Sequence, residues 1–309
     1  MSEAHPNDLA PAVNQVPAGS KGTRPTDGPA DPAYASTPLV SVVIPAYNAA
    51  PFLAEAVHSI LAQTYQHLEI IVIDDASTDG TWEVAQRCAE ADPRVRIYRN
   101  AQNLGIAGNR NRGVTLARGK YLAWQDADDV SMPARLEKQV RLLESHPDVA
   151  IVGGYIELFR GPTTLGVRKY APDDASLRRC IFRYSPIAQP VAMLRLNALR
   201  AAGEYDLRYP PAEDLDMTFR LGQHHRLANV EEVLLRYRES EASATFTRLR
   251  KMEVSTVAIR RHYSGSPAYH MTWGDWLFNL AHRASIWLVP PRVKIRLFSL
   301  WRDSAGTNA

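Results

Sequence analysis

The chain has 309 residues, 45% of them hydrophobic and 22% charged, with a formal net charge of +3. That is globular composition, enough for one large or two small domains, and no run approaches the roughly 20 apolar residues of a spanning helix, which excludes a multi-span membrane protein. The two cysteines, Cys88 and Cys180, form no CxxC pair, which argues against a disulfide scaffold or a cysteine zinc site and makes a reducing cytoplasm the default placement.

Residues 1–38 contain seven prolines and almost no large aliphatics, so they cannot bury enough surface to offset ordering entropy. A disordered leader is expected there, without the basic start and apolar core of a secretory signal. The run 39–45 is nearly continuous and β-branched, the pattern of a strand buried on both faces of a parallel sheet. A helix carrying Phe52, Leu53, Val57, Ile60 and Leu61 follows, then a second such strand over 68–73. A helix from about Thr81, a strand over 95–98, a helix from about Ala107 and a strand over 121–124 complete the series. Strands and helices alternating at this spacing predict βαβ units and a doubly wound sheet. Ligands of such sheets sit at the carboxyl ends of the strands.

Those ends are chemically distinctive. PAYN (45–48) follows the first strand, DDASTDG (74–80) the second and QDADD (125–129) the fourth. Thr78, Asp79 and Gly80 are ordinary turn and cap residues. Three carboxylates in four residues at 126–129 repel one another, a placement tolerated chiefly where a cation neutralises them. Neither GxGxxG nor GxxxxGK[ST] occurs, which disfavours a dinucleotide dehydrogenase or a P-loop enzyme. A diphosphate bound here would instead need a hard divalent ion, Mg²⁺ or Mn²⁺, on Asp126, Asp128 or Asp129.

The ordered set VSVVIPAYN (40–48), SILAQTY (59–65), EIIVIDDASTDGT (69–81), NLGIAGNRNRG (103–113) and QDADD resembles family-2 inverting nucleotide-sugar glycosyltransferases of the GT-A fold. The resemblance runs from 39 to about 240. It implies a GT-A α/β fold in which a Rossmann-like nucleotide half adjoins an acceptor half, with 241–309 as a basic, aromatic helical extension. It also implies a donor pocket of Pro45, Ala46, Tyr47 and Asp75, with Asp74 turned inward. Arg110 and Asn111 would lie near the donor phosphates and sugar. Asp126 and Asp128 match the DxD element that binds metal and donor, and Asp129 is a further metal-ligand candidate.

An inverting transfer needs a base for the acceptor hydroxyl, and a partly desolvated carboxylate suits that task. GEYDLRYPPAEDLDMTFRL (203–221) resembles the family's GluAsp segment, which makes Asp214 the expected base and Glu213 its orienting neighbour. Asp216 is expected to be a solvated helix residue. Acids at this helix start also suit its positive end.

The sequence departs from the family in two places. YRESEAS (237–243) carries Ser240 where relatives often have histidine, and Gln189 precedes Pro190 where many have His. Tyr237 and Arg238 are expected either to flank the diphosphate or to pack as a strand end, and His224 and His225 to close the base helix at the surface.

The tail holds the positive charge. Residues 248–309 carry ten basic and three acidic side chains and four of the six tryptophans, Trp273, Trp276, Trp287 and Trp301. Residues 240–263 are expected to pack back on the body as a helix. From 273 to 289, Trp273, Leu277, Leu280, Ala284 and Trp287 line one helical face. Such a face beside basic residues suits an anionic bilayer, and packing on its own domain or on a second subunit is the alternative use. The expected partners are thus a nucleotide-sugar donor (a UDP-sugar by family habit), a glycan or lipid-linked acceptor, and the inner face of the membrane through 265–309. No nucleic-acid motif is present. A nucleotidyltransferase or a non-catalytic sugar-nucleotide-binding scaffold are the alternative functions.

Overall fold

The computed structural model describes residues 37–239, 248–290 and 293–294. The expected leader lies outside them except for Thr37 and Pro38, whose carbonyl oxygens meet the His67 ring (2.7 Å) and the Tyr65 hydroxyl.

Strand β1 (Val40–Ala46) lies between β2 (Leu68–Asp74) and β4 (Tyr121–Trp124), parallel to both, and β3 (Val95–Arg99) runs parallel outside β2. The β-branched runs form central strands because both faces of the sheet are covered: every residue of β2 is buried. Val40, Val42 and Ile44 point to one face, where α1 (Leu53–Leu61) and α2 (Thr81–Ala91) supply Leu53, Val57, Ile60 and Ala85. Val43 points to the other face, toward α3 (Gly105–Leu116) and Trp124. Gly113 permits that approach, since a Cβ on it would stand 2.5 Å from the Val43 side chain.

Beyond β4 the sheet becomes mixed. β8 (Met193–Arg195) pairs antiparallel with β4, β6 (Val149–Arg160) antiparallel with β8, and β9 (Arg226–Arg238) parallel with β6. β5 (Val130–Ser131) adds to β9, and β7 (Thr163–Arg168) forms a hairpin with β6, so the main order is β3-β2-β1-β4-β8-β6-β9-β5. This is the GT-A arrangement, a parallel nucleotide half joined to a mixed half. It has a local consequence. Residues 125–129 connect β4, in the middle of the sheet, to β5 on its far edge, so the end of β9 closes against the acidic segment.

Helices α4 (Arg135–Ser145), α5 (Asp174–Cys180), α6 (Leu196–Ala202) and α7 (Glu213–Gly222), with a 3-10 turn at Gln189–Val191, complete the body. After it come α8 (Leu249–Tyr263) and α9 (Trp273–Leu288). α8 packs on α7 by stacking Tyr263 on Phe219, ring centroids 4.6 Å apart, in a cluster with Phe182, Ile259 and Tyr269. α9 begins with a capping box of Thr272 and Asp275. It packs through a polar stripe: Asp275 meets Arg183 at 2.5 Å, Asn279 donates to the Phe182 carbonyl at 2.9 Å, and His282 meets Glu253 at 3.3 Å, with Ile286 buried below. The expected apolar stripe therefore faces outward. No helix among the described residues is long and apolar enough to cross a membrane.

Candidate active site

The ends of β1 and β2 are laced together before any ligand arrives. Asp75 N–H donates to the Ala46 carbonyl at 2.8 Å, Asn48 N–H to Ser77 Oγ at 2.9 Å, and Thr78 N–H to Asn48 Oδ1 at 2.9 Å. Asn48 and Ala76 hold positive φ, 50° and 58°, a conformation tolerable for Asn and costly for Ala. Strain kept at two adjacent strand ends fits a preorganised binding edge. Ala46 is buried there, Pro45 half-buried, and the Tyr47 ring is 53% exposed, a flat surface open to a base.

Asp74 turns inward as expected, accepting from Ser77 N–H at 3.0 Å and pairing with Arg99 at 3.0 Å. Asp75 is buried too. Its Oδ1 accepts from Asn100 (2.5 Å) and Leu104 N–H (2.9 Å), and its Oδ2 from Gly105 N–H (3.0 Å). The carboxylate thus caps the start of α3, where negative charge suits the helix end, and Oδ2 keeps one lone pair for a ligand.

α3 carries Arg110 and Asn111 toward the second half of the sheet. Arg110 is buried rather than presented to solvent, its guanidinium 5.7 Å from the Trp124 ring and 5.9 Å from the Tyr205 ring, and it forms an ion pair with buried Glu213. Asn111 uses both ends of its amide on the main chain of Tyr205: Oδ1 accepts the N–H at 2.7 Å and Nδ2 donates to the carbonyl at 3.0 Å. Asn111 is therefore the brace that holds the 203–212 loop against α3.

The acidic segment is held from below. Gln125 donates to the carbonyls of Asp126 (3.1 Å) and Asp129 (2.8 Å), and Ser131 Oγ donates to Gln125 Oε1 at 2.7 Å. Arg135, fully buried, donates to Gln125 (2.9 Å), Ser131 (2.8 Å) and the Trp124 carbonyl (2.6 Å). Arg238 closes the other side, its N–H on Asp129 Oδ1 (2.8 Å), its Nε on the Asp128 carbonyl (2.7 Å) and its guanidinium on Glu55 (2.5 Å). The Phe52 and Phe159 rings flank that guanidinium, each 4.6 Å away. Arg238 is thus a packed strand end that grips the acidic segment.

Asp126 and Asp128 are half-buried, whereas Asp129 is fully buried with Oδ2 unpartnered. Burial, and then the charge of Asp126, push Asp128 up to about 6. Burial followed by both neighbouring carboxylates pushes Asp129 well above the usual carboxylate range. Among the described residues no three Asp, Glu, His or Cys side chains converge as a ready-made metal cage. Two carboxylates are nevertheless what a divalent ion shared with donor phosphates requires, and the mutual repulsion at 126–129 marks where such an ion would be favoured.

Glu213 and Asp214 open α7, whose entry passes through a cis Pro210–Pro211 bond. Burial raises Asp214, and the Arg110 charge partly offsets that rise; Asp126 in turn feels both Arg110 and Asp214. Asp216 corrects the expectation of a solvated residue. It is buried, accepting from Tyr263 Oη and from Arg220, each at 2.9 Å, because α8 covers that face of α7. Tyr205 lies beneath the site, its hydroxyl accepting from Trp124 Nε1 (2.9 Å) and from Gln189 Nε2 (3.2 Å). Gln189, in the place of the usual His, is therefore a buried support for Tyr205. His224 is exposed and His225 half-buried in the turn after α7. Ser240 lies outside the described residues.

Sequence reading did not single out Gln125, Arg135 or Tyr205. The signal for Arg135 is present: Ser131, Arg135 and Gln139 recur every four residues, a polar line on the side of α4 that buries Leu136, Val140 and Leu143.

The pattern of Glycosyl transferase family 2 matches residues 41–196. The chain belongs to that family. A glycosyltransferase of Haemophilus influenzae is 34% identical over 212 residues, which span 65% of this chain and 65% of that relative. Among solved structures, the mannosyltransferase PcManGT from Pyrobaculum calidifontis, in complex with GDP-Man and Mn²⁺, aligns with TM-score 0.58 at 22% identity over 92% of this chain and 77% of that one. S. aureus TarS in complex with UDP-GlcNAc aligns with TM-score 0.57 at 19% identity over 85% and 88%. Identities this low establish the GT-A-type fold alone.

Proposed function

We propose that this family-2 glycosyltransferase works by metal-dependent single displacement with inversion. It moves a sugar from a nucleoside-diphosphate sugar to a hydroxyl of a glycan or lipid-linked acceptor, with Asp214 as general base. The observation that carries the reading is the buried Arg110–Glu213 ion pair, which sets the next residue, Asp214, at the start of its helix within the field of the same guanidinium that acts on Asp126. A nucleotidyltransferase would not need a base there, and a non-catalytic scaffold would not need a buried acid whose pKa is raised by its burial.

The donor base is assigned to Tyr47 and the free lone pair of Asp75, beside Pro45 and Ala46. Asp126 and Asp128 would hold the divalent ion, Mn²⁺ or Mg²⁺, while Asp129 braces their loop through Arg238. When bound, the ion neutralises charge building on the leaving diphosphate. Asp214 takes the proton of the acceptor hydroxyl as its oxygen attacks the anomeric carbon, and a raised pKa makes that transfer easier near neutral pH. Glu213 holds Arg110, and Arg110 limits how far Asp214 rises, so the pair positions and tunes the base. The GDP-mannose and UDP-N-acetylglucosamine of the two structural neighbours support a nucleotide-sugar donor of either base.

The test is a panel of nucleotide sugars screened for Mn²⁺-dependent hydrolysis and thermal stabilisation. A response to one donor class supports the reading, and stabilisation by none favours a non-enzymatic relative.

A further inference from the structure

Helix α9 is amphipathic in an inverted sense. Its polar stripe is fastened to the body, and its apolar stripe is left outside. Trp273, Trp276, Leu277, Leu280, Trp287 and Leu288 form that outer face, with Trp273 71%, Trp287 69% and Leu288 79% exposed. Scattered exposed apolar residues are normal, but a run of this length along one helix marks a contact surface. The Trp273 and Trp276 rings stack on each other at 4.8 Å at one end, and Arg250 of α8 lies 5.3 Å from the Trp287 ring at the other.

We propose that α9 docks flat on an anionic bilayer and holds the acceptor side of the enzyme against it. Charge selects this occupant over a second copy of the chain. The segment 248–309 carries ten basic side chains against three acidic, so two copies meeting through it would repel, whereas an anionic lipid surface attracts it. Composition agrees. Tryptophans at both ends of the face are suited to the headgroup boundary, with leucines between them for the acyl region. Length sets the orientation, because 16 residues make a helix of about 24 Å, short of the roughly 30 Å hydrocarbon core, so it lies along the surface.

The attachment of α9 connects this surface to the site. Asp275 and Asn279 grip Arg183 and the Phe182 carbonyl, and the same segment continues to Gln189, which supports Tyr205 beneath the cleft. A membrane under α9 would thus lie on the acceptor side. This purpose, though not the docking itself, rests on the reading of the acceptor as lipid-linked.

The experiment is co-sedimentation of the full chain with vesicles of phosphatidylcholine alone or mixed with phosphatidylglycerol, alongside a Leu277→Glu, Leu280→Glu double variant. Wild-type chain is expected to follow the phosphatidylglycerol vesicles with a blue shift of tryptophan emission. The double variant should partition at least about tenfold more weakly, since each leucine loses its apolar burial. Leu288→Ser, at the most exposed position of the face, provides a second reading should the double variant lose its cooperative thermal transition. Wild-type chain remaining in solution with both vesicle types would overturn the proposal, as would variants that bind unchanged. A dimer in gel filtration that the glutamates dissociate would also overturn it, by making the face a subunit interface. Mn²⁺-dependent donor hydrolysis needs no membrane, so it reports on the catalytic reading separately.

Discussion

Arg110 on α3 and Glu213 on α7 form an ion pair, both residues buried, across 103 residues of sequence, and Asp214 is the next residue after the pair. The partner of Glu213 thus comes from the parallel half of the sheet. Removing one member leaves a buried charge alone, so Glu213→Ala should lose about 3 kcal/mol of stability or more. Replacing both, as in Arg110→Met with Glu213→Leu, should recover most of that stability and none of the turnover. Thermal melts and transfer assays on the three proteins check this, and recovery of activity in the double variant would contradict a tuning role.

Arg238 grips the acidic segment at Asp128 and Asp129 and touches nothing assigned to the donor. Arg238→Gln is expected to raise the Mn²⁺ concentration for half-maximal activity by about tenfold, the usual effect of a supporting residue on a metal site. Metal titration at saturating donor is the measurement. A change confined to kcat would place Arg238 on the reacting groups instead.

If Asp128 holds the proposed metal, acid should inactivate the enzyme at that carboxylate. Asp128, pushed up to about 6, binds a metal only when ionised, so activity should fall as pH drops through that value. Protons and metal compete for the same carboxylate, so raising Mn²⁺ should move the acid limb to lower pH. An acid limb that ignores Mn²⁺ would assign it to Asp214 alone.

Asp129 makes the opposite statement about stability. Its folded pKa lies above its unfolded one, so its burial costs nothing below the unfolded value, near 4, and destabilises increasingly as pH rises toward the folded value. Without added metal, Asp129→Asn should therefore be more stable than wild type at neutral pH and equal to it near pH 4. Melting curves across this range decide it.

Much of the parallel half was legible because buried strands announce themselves as β-branched runs: β1, β2, β3 and β4 lie within a residue or so of their expected bounds. The family motifs located the acidic segment and the GluAsp pair. Partners contributed from distant sequence were not legible. Nothing near Asp216 signals Tyr263 above it, nothing near Asn111 signals the Tyr205 main chain, and Arg110 reads identically whether buried or solvated. The outward face of α9 was also hidden, because periodicity shows that a helix has two faces without showing which one the body covers.

The central claim is that Asp214 removes the acceptor proton, and one comparison tests it most directly: Mn²⁺-dependent donor binding against transfer rate in Asp214→Asn. Donor affinity should stay within about twofold of wild type while transfer falls by roughly 10²-fold to 10⁴-fold, the range for loss of a positioned base. Transfer at close to the wild-type rate would contradict the account.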